Sequence, residues 1–307
     1  MKGLGMVFWW LLITFGYCFG QTNQTPVTSP ARRSSDDQQR ENSRMSRNAD
    51  SAFKDLHNTD IPQTFQKTPI EIMAQYIQPL YRKPGKKDLK DLIPAPNLLA
   101  QYDQFLKLEN TGIFKLSGDI TCAKNISVVA ATESCASNTI PGGGTAFSFR
   151  ANTHRILHLA DLALEKDILK TDGVMQQGIM VSLGDIELDK VTADTAGLKF
   201  LMDFKPATTK EELQKNDQEL SNGIKADGFI YRFGFYVDKN TTFALRSIAY
   251  RGKLIRSIKG VNYNEMDYDK RKDVLVVFRI IEKDQNGDIT VLWKEIVRKD
   301  SPELKEN

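Results

Sequence analysis

The sequence predicts an α+β fold: a largely antiparallel sheet with a few short helices packed beside it. Three observations predict it. From Phe229 onward apolar residues alternate with a period of two, which puts every second side chain on one face of a strand. Asn286-Gly287 stands between two apolar runs, a hairpin signal that joins consecutive strands antiparallel. Helical spacing is confined to short stretches, and two of them open on a threonine with a glutamate three residues on. No fixed-period repeat is present.

The elements follow in order. Thr68-Pro69-Ile70-Glu71 reads as an N-cap, a proline at the first helical position and a capping-box glutamate. Ile70, Met73, Ile77 and Leu80 then recur at helical spacing, and Pro84-Gly85 ends the helix. A second helix is expected over 96–108, with Leu98, Leu99, Tyr102 and Phe105 on one side. Short strands are expected next at Ile113–Leu116, Phe147–Phe149, Gly178–Val181 and Leu198–Phe204. Thr208 to Glu211 is a second capping box, with Leu213 and Leu220 a heptad apart and Gly223 as the stop. Phe229, Tyr231, Phe233, Phe235 and Val237 alternate along one expected strand. Asp238-Lys239-Asn240 turns the chain into Phe243–Tyr250. Val274–Ile281 is apolar on both faces, the pattern of a central strand covered above and below. Its partner returns through Ile289, Val291 and Trp293.

Composition excludes several function classes. The chain has 307 residues, enough to bury a large core, with 40% hydrophobic and 26% charged residues. A formal charge of +3 lacks the basic excess of a general polyanion binder. Three cysteines and three histidines exclude a cysteine-rich scaffold, an all-cysteine zinc site and a histidine-dense metal centre. No nucleotide-binding, kinase, hydrolase or zincin signature is present, and no cofactor is expected.

Residues 1–20 carry the three parts of a secretory signal. Lys2 supplies the positive end, Met6 to Phe15 the apolar core, and cleavage is expected after Gly20. Acylation of Cys18 is disfavoured, because Tyr17 stands where that chemistry wants a small residue. The alternative is an uncut leader, 3–20, which would anchor the chain in a membrane. Residues 21–66 read as a disordered polar linker, too poor in apolar residues to offset their ordering entropy. The expected organisation is then a single globular domain over 67–300 and a disordered tail over 301–307.

Export changes the cysteine reading. With the leader gone, Cys122 and Cys135 remain, an even pair in an oxidising compartment. A disulfide between them would be worth about 3 kcal/mol. The alternative makes Cys135 a nucleophile activated by a histidine.

Other motifs offer chemistry beside plainer roles. His154, His158 and Asp161 would share a face of a helix and could hold a metal, but an extended chain would separate the histidines by more than about 10 Å. Asp185, Glu187, Asp189 and Asp194 could serve calcium or acid–base work, or form the charged face of a strand end. Asp284, Asn286 and Asp288 lack the closing acid of an EF-hand loop and read as a turn. Gly142, Gly143 and Gly144 could cradle an anion, or simply let backbone pass close to a neighbour. Arg232 to Asp238 partly matches an RNA-binding strand, without its glycine and last aromatic, so no nucleic-acid partner is expected.

Several blocks together resemble an uncharacterised family of secreted bacterial proteins. They are Thr111-Gly112-Ile113, Gly142 to Phe149, Gln177-Gly178-Ile179 with Leu183-Gly184-Asp185, Arg246-Ser247-Ile248 with Tyr250, and Asp273 to Arg279. The resemblance spans about 111–297 and implies one folded unit and export. It implies no activity. The expectation is therefore a secreted or envelope-exposed, non-enzymatic module. The alternatives are a metal-assisted hydrolase built on His154, His158 and Asp161, and a membrane-anchored scaffold with the leader retained. A membrane partner is expected only in that last case.

Overall fold

A computed structural model describes residues 67–126, 130–171 and 173–305. The expected leader and linker, 1–20 and 21–66, lie outside the described residues. What is described is mostly antiparallel sheet with a few short helices.

Fourteen strands occur among the described residues. The main sheet joins Thr111–Leu116 (β1), Gln176–Gly184 (β6), Thr242–Ala249 (β10), Lys272–Lys283 (β13) and Ile289–Asp300 (β14), in the order β1-β14-β13-β10-β6. A second sheet joins Ala146–Ser148 (β2), Thr153–His154 (β3), Leu162–Glu165 (β4), Ile168–Lys170 (β5) and Gly234–Tyr236 (β9), in the order β3-β2-β4-β5-β9. Two ribbons complete the set: Ile224–Ala226 (β7) with Phe229–Tyr231 (β8), and Ile255–Ile258 (β11) with Val261–Asn264 (β12).

β13 sits in the middle of the main sheet, as its two-sided apolar pattern predicts. Val274, Val276, Phe278 and Ile280 face the second sheet and meet Phe147, Phe149, Leu162, Leu164 and Leu169 there. Leu275, Val277 and Ile281 face the other way, onto a helical layer that supplies Leu98, Leu198, Leu201 and Leu220. The main sheet is thus covered on both faces.

The helices are Pro69–Ile72 (α1), Pro96–Gln101 (α2), Asp103–Leu106 (α3), Leu198–Asp203 (α4) and Lys210–Asn222 (α5). The capping box at Thr68 and Glu71 forms as its sequence predicts. The helix then loosens into a π turn (Met73–Ile77) and a 3-10 turn (Gln78–Tyr81). Ile77 and Leu80 are buried, but Ile70 stays exposed, so the apolar stripe is shorter than its spacing suggests. The expected helix over 96–108 breaks at Tyr102, where ψ turns to 14°.

Four other expectations are corrected. Leu198–Asp203 is a helix, not a strand: Leu198 and Leu201, one turn apart, are both fully buried. The second capping box lies one residue later than predicted. Thr209 caps Glu212 N at 3.2 Å, while the Glu212 carboxylate reaches back to Thr208 N at 2.7 Å. The alternating run Phe229–Val237 is two strands in different sheets, β8 and β9, separated by Arg232 and Phe233. Tyr231 accordingly packs into the helical side of the main sheet and Val237 into the other. Finally, residues 301–305 are not a disordered tail. Leu304 is buried beside Ile248 and Tyr250, and Lys305 N donates to Thr208 O at 2.8 Å.

Candidate functional site

The three residues read as a metal set lie close in sequence and go to different partners. His154 is on β3 and stands edge-on to Phe147, with ring centroids 5.5 Å apart. Its Nδ1 lies 3.1 Å from Ala146 O, and a carbonyl can only accept, so the ring donates there. Burial pushes its pKa down to about 4, against the modest upward pull of that hydrogen bond. It is a neutral core aromatic.

His158 lies on a 3-10 turn (Leu157–Leu159) and donates Nε2–H to Glu265 Oε1 at 2.7 Å. Tyr81 donates to the same oxygen at 3.0 Å, and Arg256 Nε donates to Oε2 at 2.9 Å. Burial alone would raise the Glu265 pKa. His158 and Arg256 outweigh it and hold the carboxyl at about 2. Tyr81 and Tyr263 share a hydrogen bond of 2.9 Å, and burial raises both their pKa values above the usual tyrosine range. No serine, threonine or cysteine side chain is bonded to His158 among the described residues, so this imidazole has no nucleophile to activate.

Asp161 is fully buried and accepts from Ser148 Oγ at 3.0 Å, Arg150 N at 3.1 Å, Arg150 Nε at 2.6 Å and Ser247 Oγ. Arg150 in turn spends its whole guanidinium inside the protein. Nη1 donates to Asp269 Oδ2 at 2.6 Å and Lys270 O at 3.2 Å. Nη2 donates to Gln176 Oε1 at 2.9 Å and Leu159 O at 3.2 Å. Burial opposes its charge, but Asp161 and Asp269 more than compensate and raise its pKa. Arg271 completes the network, donating to Asp269 Oδ2 at 2.9 Å and Tyr250 O at 2.9 Å.

The arrangement is a charged seam between two segments. Ser148, Arg150, His158 and Asp161 come from one; Glu265, Asp269 and Arg271 come from the short run into β13. Within the seam, Asp269 Oδ1 and Arg155 Nε are buried without a hydrogen-bond partner among the described residues. Of the residues that matter here, sequence reading singled out only His158 and Asp161. Arg150 is only 11 residues from Asp161, but no regular period links them, and the far side of the seam is distant in sequence: Glu265 is 107 residues from His158 and Asp269 is 119 from Arg150.

The remaining candidates also serve the fold. Gly142, Gly143 and Gly144 are buried, and the amides of the first two are bonded to backbone. Gly142 N donates to Asn125 O at 2.9 Å, and Gly143 N to Ile140 O at 3.0 Å. Gly143 has φ 62°, and a Cβ there would lie 2.6 Å from the Cys122 carbonyl carbon, so the turn is a docking point for backbone. What docks is the loop closed by the Cys122–Cys135 disulfide, Cα atoms 5.7 Å apart. Asn125 fixes that loop, accepting from Ala131 N at 2.8 Å and donating to Asn138 O. Asp185 and Glu187 both pair with Arg279, at 2.7 and 3.0 Å, while Asp189 and Asp194 stay exposed. Lys115 bridges Asp284 and Asp288 at the hairpin, at 3.4 and 2.8 Å. Arg232 lies over the Phe235 ring, 4.5 Å from its centroid, in the break between β8 and β9.

No helix among the described residues is long and apolar enough to cross a membrane, and none of their His, Cys, Asp and Glu side chains gather three together in a metal-holding group. No family model matches the chain, and neither a curated protein nor a solved structure is significantly similar to it.

Proposed function

We propose that the chain is an exported α+β module, non-enzymatic, which works by presenting its surface and not by interior chemistry. One observation carries the reading. Among the described residues, the side chains singled out for metal or thiol chemistry hold segments together: His158 on Glu265, Asp161 on Arg150, Cys122 on Cys135. A base needs a free partner and a metal needs convergent ligands; these side chains have neither. The disulfide supports export, since such bonds persist where thiols are oxidised.

Intact mass of the chain recovered from outside the cytoplasm tests this. The expected mass is that of residues 21–307 less two hydrogens, with no free thiol under denaturing, non-reducing conditions. The full-length chain with three reactive thiols, Cys18 included, would overturn export. Cys122→Ser/Cys135→Ser should cost about 2–4 kcal/mol of stability, read by urea unfolding. A stoichiometric metal that disappears in His154→Ala/His158→Ala would replace this reading with a metal-assisted hydrolase.

A further inference from the structure

The loop between the first helical run and α2 is a strongly charged surface segment that the fold does not consume. Residues 82–93 carry Lys83, Lys86, Lys87 and Lys90, all exposed. Arg82 and Asp88 neutralise each other at 3.1 Å, and Asp88 also accepts from Gly85 N at 2.6 Å. That turn takes the loop's first acid out of play and fixes the backbone that carries the lysines. The four ammonium groups have no ion-pair partner among the described residues, and the loop's other acid is Asp91. Beside them, Leu92 and Pro94 are buried, while Ile93 between them is 56% exposed. An apolar side chain held outward by two pinned neighbours contributes nothing to the core.

The loop is also anchored to the disulfide region. A Cβ on Gly144 would lie 2.5 Å from Leu92 Cδ1, and one on Gly143 would lie 2.6 Å from the Cys122 carbonyl carbon. Leu92 and Cys122 therefore pack on adjacent residues of one turn. Exposed Lys124, two residues after Cys122, adds to the same neighbourhood.

We propose that residues 82–93 dock on the surface of an anionic phospholipid bilayer, with the four lysines on the headgroups and Ile93 as an apolar wedge. Charge complementarity and the exposed isoleucine together select this partner. Interfacial binding grows with buried apolar area and with attraction to anionic lipid. A soluble polyanion would use the lysines and ignore Ile93, and no aromatic residue stands among them to stack on a base. The inference needs the exported-module reading only for the surface the protein would meet. It is tested with purified protein, so the two fail separately.

The experiment is cosedimentation of the chain, as isolated from cells, with vesicles of phosphatidylcholine alone or mixed equally with phosphatidylglycerol. The difference between the two vesicles isolates the electrostatic part from any apolar leader. Preference for the anionic vesicle is expected, weakening as salt rises. Lys86→Ala/Lys87→Ala/Lys90→Ala should reduce that binding on the order of 100-fold, about fivefold per lysine. Ile93→Ser should weaken vesicle binding while leaving binding to dextran sulfate unchanged. All four positions are exposed, so thermal melting should match the parent. No preference for anionic vesicles would overturn the proposal. So would a triple variant that binds like the parent, which would place the contact elsewhere in the chain. An Ile93→Ser variant with full vesicle binding would make the loop a polyanion site instead.

Discussion

The middle of β13 and the seam that leads into it are equally buried and are built on opposite principles. Val274 to Ile281 holds its position with apolar surface on both faces, and only Arg279 interrupts it. The seam a few residues earlier buries Glu265, Asp269 and Arg271 against Arg150, His158 and Asp161. Apolar burial is non-directional, so any side chain of the right size and period will serve. Buried charge is directional and is tolerated only when nearly every donor and acceptor is met. The strand supplies stability; the seam fixes which loop meets which.

The sharpest way to break the comparison is one charge in the apolar strand. Val276 is fully buried in the layer between the sheets, packed in a cluster of apolar and aromatic side chains. Val276→Asp should cost more than about 4 kcal/mol and prevent folding, seen as loss of the cooperative thermal transition. A folded, cooperative variant would show that the central strand is less enclosed than its cover implies.

The seam should fail by a different rule. Arg150→Met leaves Asp161 and Asp269 without their main counter-charge and should cost about 3–5 kcal/mol in urea unfolding. Arg150→Met/Asp161→Asn removes one stranded charge and keeps a hydrogen-bonding side chain for Ser148 and Ser247. It should recover at least about 1 kcal/mol of that loss. A double variant as unstable as the single one would mean that Asp161 is not held by charge.

The same contrast explains what the sequence made legible. The central strand, the hairpin after it, the first capping box and the disulfide pair were readable, because each is signalled by residues close together or by simple elimination. The run Leu198–Phe204 was not. Its apolar residues at 198, 200, 201, 202 and 204 fit either period, and tertiary packing chose the helix. The run Phe229–Val237 kept its alternation while changing sheets, because period-two spacing says which face a residue takes and not which sheet. The seam was the least legible part. A buried Arg150 looks like any surface arginine until Asp269, 119 residues on, is folded against it.

Acid should separate the two regions in pH. His154 in the core has its pKa lowered from 6.5 to about 4, so its neutral form is the folded one. Its contribution is complete above pH 6.5 and is lost as pH falls toward 4. Glu265 in the seam is lowered from 4.5 to about 2, so its contribution is complete above pH 4.5 and is lost as pH falls toward 2. Each loss is on the order of 3 kcal/mol at most. His154→Phe should flatten the stability profile between pH 6.5 and 4, and Glu265→Gln only below pH 4.5. Unfolding free energies across that range would show it; identical profiles for both variants would sink the distinction.

The smallest effect concerns two glycines with similar backbones and different surroundings. Gly287 closes the hairpin between β13 and β14 with φ 82°, while Asn286 keeps an ordinary negative φ. The turn is therefore not the two-residue kind with both central residues left-handed. Asp284 organises it instead, its carboxylate accepting from Asn286 N at 2.9 Å and Asp288 N at 3.0 Å. Nothing lies within 4 Å of a Cβ placed on Gly287, so Gly287→Ala carries only the left-handed backbone cost, about 1 kcal/mol. Gly287→Asn should cost less, since asparagine tolerates that conformation. Gly143 has φ 62°, but its added Cβ would meet the Cys122 backbone at 2.6 Å, and backbone cannot swing aside as a side-chain tip can. Gly143→Ala should therefore cost more than Gly287→Ala and should loosen the disulfide loop, read as faster amide exchange over residues 122–126. Equal costs at the two glycines would mean that the loop's approach to Gly143 contributes nothing to stability.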